Sequence, residues 1–282
     1  MPELPEVEIA RRQLARWLDG RQVTGAEADR TRTFRGGHPQ RFARLRGRLR
    51  EAGRRGKYLL LQFDDGTGVL AHFGMTGKLV RRPHGVPEPY SRARFLLDDG
   101  TAIHFRDARM LGRIDAVDAA QLHALPEIRQ LGVDPLADGM DWRALQEAVA
   151  PSRQDLKVAL MDQGRIAGLG NIHAAEALFR SGLHPASRPG SLGDEDWKRL
   201  CRCIHQTIRF ALAEEEGPTA NPTDEIEYVE EPGAQNPFLI YGRKGERCRR
   251  CGAVVRAFTQ GGRTTHFCPG CQRRPGGRHR RS

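Results

Sequence analysis

Residues 56–73 read Gly56-Lys57-Tyr58-Leu59-Leu60-Leu61-Gln62-Phe63-Asp64-Asp65-Gly66-Thr67-Gly68-Val69-Leu70-Ala71-His72-Phe73. Two short apolar runs flank Asp64-Asp65-Gly66-Thr67, where glycine tolerates positive φ and aspartate bonds its own backbone, so the chain turns back as a β-hairpin. The pattern recurs at 93–97 and 101–105 around Asp98-Asp99-Gly100. Between the hairpins, residues 81–92 hold three prolines and read as a loop. Successive hairpins predict an antiparallel β-sandwich, giving an α+β protein once the helices are added. Upstream, residues 5–18 put Val7, Ala10, Leu14, Trp17 and Leu18 at helical spacing, with Gly20 as the stop. Residues 23–34 read as strand and loop.

Beyond Asp118 the pattern turns helical. Short runs are expected at Ala119–Ala124, Trp142–Val149 and Leu156–Met161, the last behind a capping box from Ser152 to Asp155. Gly132-Val133-Asp134-Pro135 reads as an interdomain linker. Residues 164–171 form a glycine-rich connection with Asn171 as N-cap of a helix over 172–180, and a further helix covers 195–213. Cys201 and Cys203 fall in that helix and read as buried apolar residues. Residues 214–240 are acidic and loop-forming.

The formal net charge is +11, of which five charges lie in the arginine tail after Cys271, so the body is itself basic at +6. A pI near 10.0 points to a polyanionic partner. No run resembles a signal peptide or a bilayer span, and no membrane partner is expected. Cys248-x-x-Cys251 and Cys268-x-x-Cys271, sixteen residues apart, match a four-cysteine structural zinc site in a reducing cytosol. Four thiolates leave no open coordination position, so one such ion would organise a β-ribbon and not catalyse. Arg263, on the ribbon turn, suits a bidentate grip on phosphate, or else is a solvated arginine.

The chain opens Met1-Pro2-Glu3-Leu4-Pro5-Glu6. With Met1 removed, Pro2 carries a secondary amine that titrates near the α-amino range, about 8, and that forms an iminium with a carbonyl-like carbon. Glu3 could then donate or accept a proton. The same residues also suit an ordinary helix start. Lys57 is a solvated lysine or a group beside the reacting sugar. The 164–171 turn offers N–H groups to a phosphate or simply joins helices. Met75 and Arg109-Met110-Leu111 follow strands, as wedges into a base stack or as core packing.

Over roughly residues 1–271 these motifs resemble the formamidopyrimidine-DNA glycosylase family, related to endonuclease VIII. The resemblance rests on Met-Pro-Glu-Leu-Pro-Glu-Val-Glu at 1–8, Gly56-Lys57-Tyr58-Leu59-Leu60, His72-Phe73-Gly74-Met75-Thr76-Gly77, Gly168 to Asn171, Tyr241-Gly242-Arg243-Lys244-Gly245 and the cysteine pairs. It implies a β-sandwich catalytic domain at 1–132, a helix-two-turns-helix domain at 133–240, a zinc finger at 241–271 and a disordered basic tail at 272–282. It further implies a base excision repair enzyme, glycosylase and AP lyase, acting on double-stranded damaged DNA as a monomer, in the bacterial cytoplasm at the nucleoid. Pro2, Glu3, Lys57 and Arg263 would be catalytic; His72, Met75, Arg109, Leu111, Lys157 and Asn171 would bind DNA. Leu4 favours the oxidised-purine branch over the pyrimidine-directed endonuclease VIII. The chain departs from the family in carrying Leu111 for the usual aromatic wedge, Met110 for an arginine, and an acidic stretch from Gly217 to Pro237 where a base-closing loop is expected. The rival of another class is a DNA-damage binder without catalysis.

Overall fold

The computed structural model describes residues 2–29, 32–34, 39–215 and 236–272. The described residues through Gln130, joined by the end of a long helix from Leu212, form one unit. Leu131–Ala211 and the described residues from 236 form the other.

The first unit starts with α1 (Leu4–Leu18), which buries Leu4, Val7, Ala10, Leu14, Trp17 and Leu18 and turns Arg12 and Arg16 outward. Burial of each such large apolar side chain is worth roughly 1.5–3 kcal/mol, so this stripe fixes the helix more firmly than propensity does. Next come β1 (Gln22–Ala28), the single turn α2 (Pro39–Phe42), β2 (Gly47–Arg55), β3 (Tyr58–Phe63) and β4 (Thr67–His72). Then follow β5 (Lys78–Pro83), β6 (Ser91–Leu97), β7 (Thr101–Arg106), β8 (Arg113–Asp118), a 3₁₀ turn at Ala119–Ala124 and the short α3 (Pro126–Arg129).

The strands bond in the order β5-β7-β6-β1-β2-β3-β4-β8, every neighbour antiparallel. β2 is shared: Gly47 and Arg48 pair with β1, while Leu49 to Arg55 pair with β3 across a register shift. Phe63 of β3 stacks with Phe95 of β6 at 6.1 Å, and Phe73 with Phe105 at 6.0 Å, joining strands that are not neighbours. The expected sandwich is therefore present, with α1 closing one side of its core.

Two local expectations need correction. Residues 81–92 are not all loop: Arg81, Arg82 and Pro83 end β5, and Ser91 and Arg92 begin β6. β5 is an edge strand, the one place in a sheet where a proline and exposed arginines are tolerated. Residues 132–135 are not a free linker. Gly132 N–H donates to Gln163 O at 2.9 Å, Val133 N–H to Arg165 O at 3.0 Å, and buried Asp134 accepts the N–H groups of Leu136 and Ala137.

The second unit holds α4 (Trp142–Val149), α5 (Leu156–Met161), α6 (Asn171–Ser181), a 3₁₀ turn at Pro189–Ser191, α7 (Asp194–Glu215), β9 (Arg256–Gln260) and β10 (Arg263–Phe267). The expected capping box before α5 does not form. Asp155 is the N-cap but makes no side-chain capping bond, and Ser152 Oγ accepts from Gln154 N–H instead. Asn171 is the first residue of α6 rather than its cap, which is Gly170. Cys201 and Cys203 are buried in α7, and burial, reinforced by Asp141, pushes the Cys201 thiol up to about 11. Among the described residues no helix is long and apolar enough to cross a membrane. The acidic stretch after Gly217 falls almost wholly at 216–235, outside the described residues, as does the tail from 273.

Candidate nucleic-acid interface and metal centre

The cysteine pairs meet as the spacing requires. The Sγ atoms of Cys248, Cys251, Cys268 and Cys271 all lie within 4.8 Å of one another, Cys248 to Cys271 being 3.8 Å and Cys251 to Cys268 3.3 Å. Zn–S bonds of about 2.3 Å in a tetrahedron put sulfurs about 3.8 Å apart, so the cluster fits one zinc with only small adjustment. Arg250 N–H donates to Cys248 Sγ, as expected for a thiolate. Gly270 is obligatory here, since a Cβ would stand 2.9 Å from Cys251 Sγ. The ribbon packs on α6 through Ala175, Phe179, Ile240 and Val255. These four cysteines hold one structural zinc ion.

In the same unit Lys157 is only 1 % exposed. Its Nζ donates to Asn171 Oδ1 at the start of α6 and, at 2.9 Å, to Thr265 Oγ1 of β10. There one cation ties α5, α6 and the ribbon together. Asn171 is half-buried at the α6 N-terminus, and Arg263 opens β10 fully exposed. Sequence reasoning missed Glu176. It is buried in α6 and accepts the N–H groups of Leu239, Ile240 and Tyr241 at 3.1, 2.8 and 3.0 Å. The only sequence signal was a charge amid Ala174, Ala175, Ala177 and Leu178.

The first unit carries the other group. Pro2 is buried and Glu3, the N-cap of α1, is 1 % exposed, with its N–H on Glu6 Oε2 at 2.8 Å. Lys57 lies in the β2–β3 turn and is also buried. Two residues that sequence reasoning passed over join these regions. Glu8 accepts from Arg11 and Arg12, each at 2.8 Å, and from Arg54 at 3.3 Å. Arg54 then donates to the Gly56 carbonyl at 2.8 Å, directly before Lys57, while Arg11 reaches Ala52 O at 3.1 Å. The helix that follows Pro2 and Glu3 is thereby fastened to β2, directly before the turn that bears Lys57. Burial alone would raise the Glu8 pKa, but the arginine hydrogen bonds and charges outweigh it and hold the carboxyl below its ordinary value.

His72 stacks on Tyr58 at 4.8 Å and accepts Gly74 N–H on Nδ1 at 3.1 Å. Met75 is 48 % exposed, Arg109 is exposed and Leu111 half-exposed. All three stand on turns between strands.

The comparisons agree with this anatomy. Residues 1–114 match the formamidopyrimidine-DNA glycosylase N-terminal domain, 131–222 its H2TH domain and 245–274 the zinc finger found in FPG and IleRS. The chain is 38 % identical to the formamidopyrimidine-DNA glycosylase of Heliobacterium modesticaldum, over 97 % of this chain and all of that one. The MutM (Fpg) protein from Thermus thermophilus superposes with a TM-score of 0.80 at 34 % identity, covering 96 % of this chain and 98 % of that one. A Lactococcus lactis Fpg mutant bound to Fapy-dG-containing DNA superposes at 0.83 with 29 % identity, over 97 % and 100 %. With all three domains matched in order and a relative aligned along almost its whole length, the chain belongs to the formamidopyrimidine-DNA glycosylase family.

Proposed function

We propose that this protein is a bifunctional DNA glycosylase/AP lyase of base excision repair that removes oxidised purines, 8-oxoguanine and formamidopyrimidines, from double-stranded DNA. The observation that supports it most is the fastening of the helix behind Pro2 and Glu3 to β2, beside the turn that bears Lys57, through Glu8 and Arg54, because an amine nucleophile needs a fixed approach to its carbon.

The damaged nucleotide is extruded so that its anomeric carbon becomes reachable. The lone pair of the Pro2 amine, bared by loss of Met1, forms the bond to C1′. The base leaves with the glycosidic electron pair and a proton, and Glu3 protonates the ring oxygen as the sugar opens to an iminium. The iminium acidifies the C2′ proton; its loss expels the 3′ phosphate, and loss of the C4′ proton then expels the 5′ phosphate. Water hydrolyses the remaining imine and frees Pro2. Lys57 holds the phosphate or sugar beside the reacting carbon. His72, Asn171 and Arg263 bind phosphates, with Lys157 acting through Asn171, and Met75, Arg109 and Leu111 fill the space the base leaves. The β-sandwich domain is assigned to 1–132, the helix-two-turns-helix domain to 133–240, the zinc finger to 241–271 and a basic tail to 272–282. The protein acts as a monomer in the cytoplasm, at the nucleoid.

Borohydride trapping tests this, since it reduces an iminium to a stable adduct. An adduct on 8-oxoguanine DNA that disappears in Pro2→Gly is expected. An adduct on oxidised-pyrimidine DNA alone would move the protein to the endonuclease VIII branch. No adduct on any lesion or abasic site, with Met1 absent by mass spectrometry, would leave a damage binder.

A further inference from the structure

Two turns carry the apolar tips, 73–77 with the exposed Met75 and 107–112 with the partly buried Leu111, and one buried carboxylate spans them. Asp107 is 0 % exposed. Its Oδ1 accepts from Thr76 Oγ1 at 2.6 Å, and its Oδ2 accepts from Gly112 N–H at 2.6 Å. Its own backbone is pinned as well, the N–H on Tyr90 O at 3.0 Å and the carbonyl under Arg92 Nε at 2.9 Å. The turns also touch directly: a Cβ on Gly74, which has φ +61°, would stand 2.4 Å from the Leu111 carbonyl carbon. Met110 is held at φ +51°, a region that a residue with a side chain avoids unless its surroundings dictate it. Gly77 N–H on Phe73 O at 2.8 Å closes the Met75 turn.

We propose that Asp107 is a positioning residue that holds the turns bearing Met75 and Leu111 in one fixed register before DNA is met, with Thr76 as the strut between them. The proposal rests on the DNA-damage reading above. Separate flexible tips would each have to be ordered as the base stack opens. A pair ordered in advance meets the duplex with that cost already removed. Leucine, a poorer stacking residue than an aromatic ring, gains most from a partner held at fixed spacing.

The test uses the full chain with Thr76→Val, which deletes the strut hydroxyl at an exposed site, and Thr76→Ser, which keeps it. Base opening is followed by 2-aminopurine fluorescence beside 8-oxoguanine, and the chemistry by borohydride trapping on a preformed abasic site. A hydrogen bond to a charged acceptor is worth about tenfold, so Thr76→Val should slow opening by about that factor while abasic trapping falls less than about twofold, and Thr76→Ser should restore opening. Opening at the wild-type rate in Thr76→Val, or an equal loss on both DNAs, overturns the positioning role. Wild-type protein that opens the stack but never traps would sink the glycosylase reading instead, with the fluorescence comparison still deciding the positioning role.

Discussion

Glu8 shows how one side chain can serve the site without touching a substrate. Three arginines converge on it from α1 and β2, and their combined pull holds its carboxyl below the ordinary value of 4.5 against the opposing effect of burial. The depressed folded-state value fixes the sign of the pH effect. The network contributes its full stability above about pH 4.5, where the unfolded chain is also ionised, and loses it as pH falls through the lower folded value. Glu8→Gln should therefore be less stable than wild type at neutral pH, and the difference should shrink on acidification. Urea melts taken from about pH 6 down to about pH 3 measure this; a constant difference across the range would mean that the arginines do not depend on the Glu8 charge.

At the scale of elements, the ribbon has almost no core of its own. β9 and β10 are five residues each, and among the described residues of the ribbon segment only Ile240, Val255, Cys248 and Cys268 are buried in the cluster on α6, with Leu239 and Ala253 partly buried against it. Zinc must supply the rest, as it does where metal binding and folding are one event. Chelation should release Arg263 and the Thr265 contact of Lys157 together. DNA affinity is then expected to fall by about tenfold or more, with the melting of the β-sandwich unit unchanged. Readdition of zinc should restore binding; binding unaffected by chelation would place the DNA contacts elsewhere. The Lys157 contacts to Asn171 and Thr265 explain why the ribbon's loss would reach α6.

Across the whole molecule, what was legible in the sequence was whatever repeats locally. The β3–β4 and β6–β7 hairpins announced themselves through alternation and Asp-Gly turns, and the cysteine pairs through spacing. β5 was hidden because arginines and Pro83 look like loop until the strand is known to lie at an edge. The candidate catalytic residues were legible as motifs, but the residues that hold their surroundings in place were not. Arg54 reaches Glu8 across 46 residues, Thr76 reaches Asp107 across 31, and Glu176 reaches Leu239 across 63, so no window of sequence contains the pair. The shared strand β2 has a consequence for motion. Because Gly47 and Arg48 belong to one half of the sandwich and Leu49 to Arg55 to the other, neither half can open without breaking β2. Its amide protons should accordingly exchange only through opening of the entire unit, the slowest class, even though β5 at the edge exchanges quickly. Native-state hydrogen exchange would show β2 leaving in step with both β1 and β3, and the Pro2 helix packed on it would inherit that rigidity.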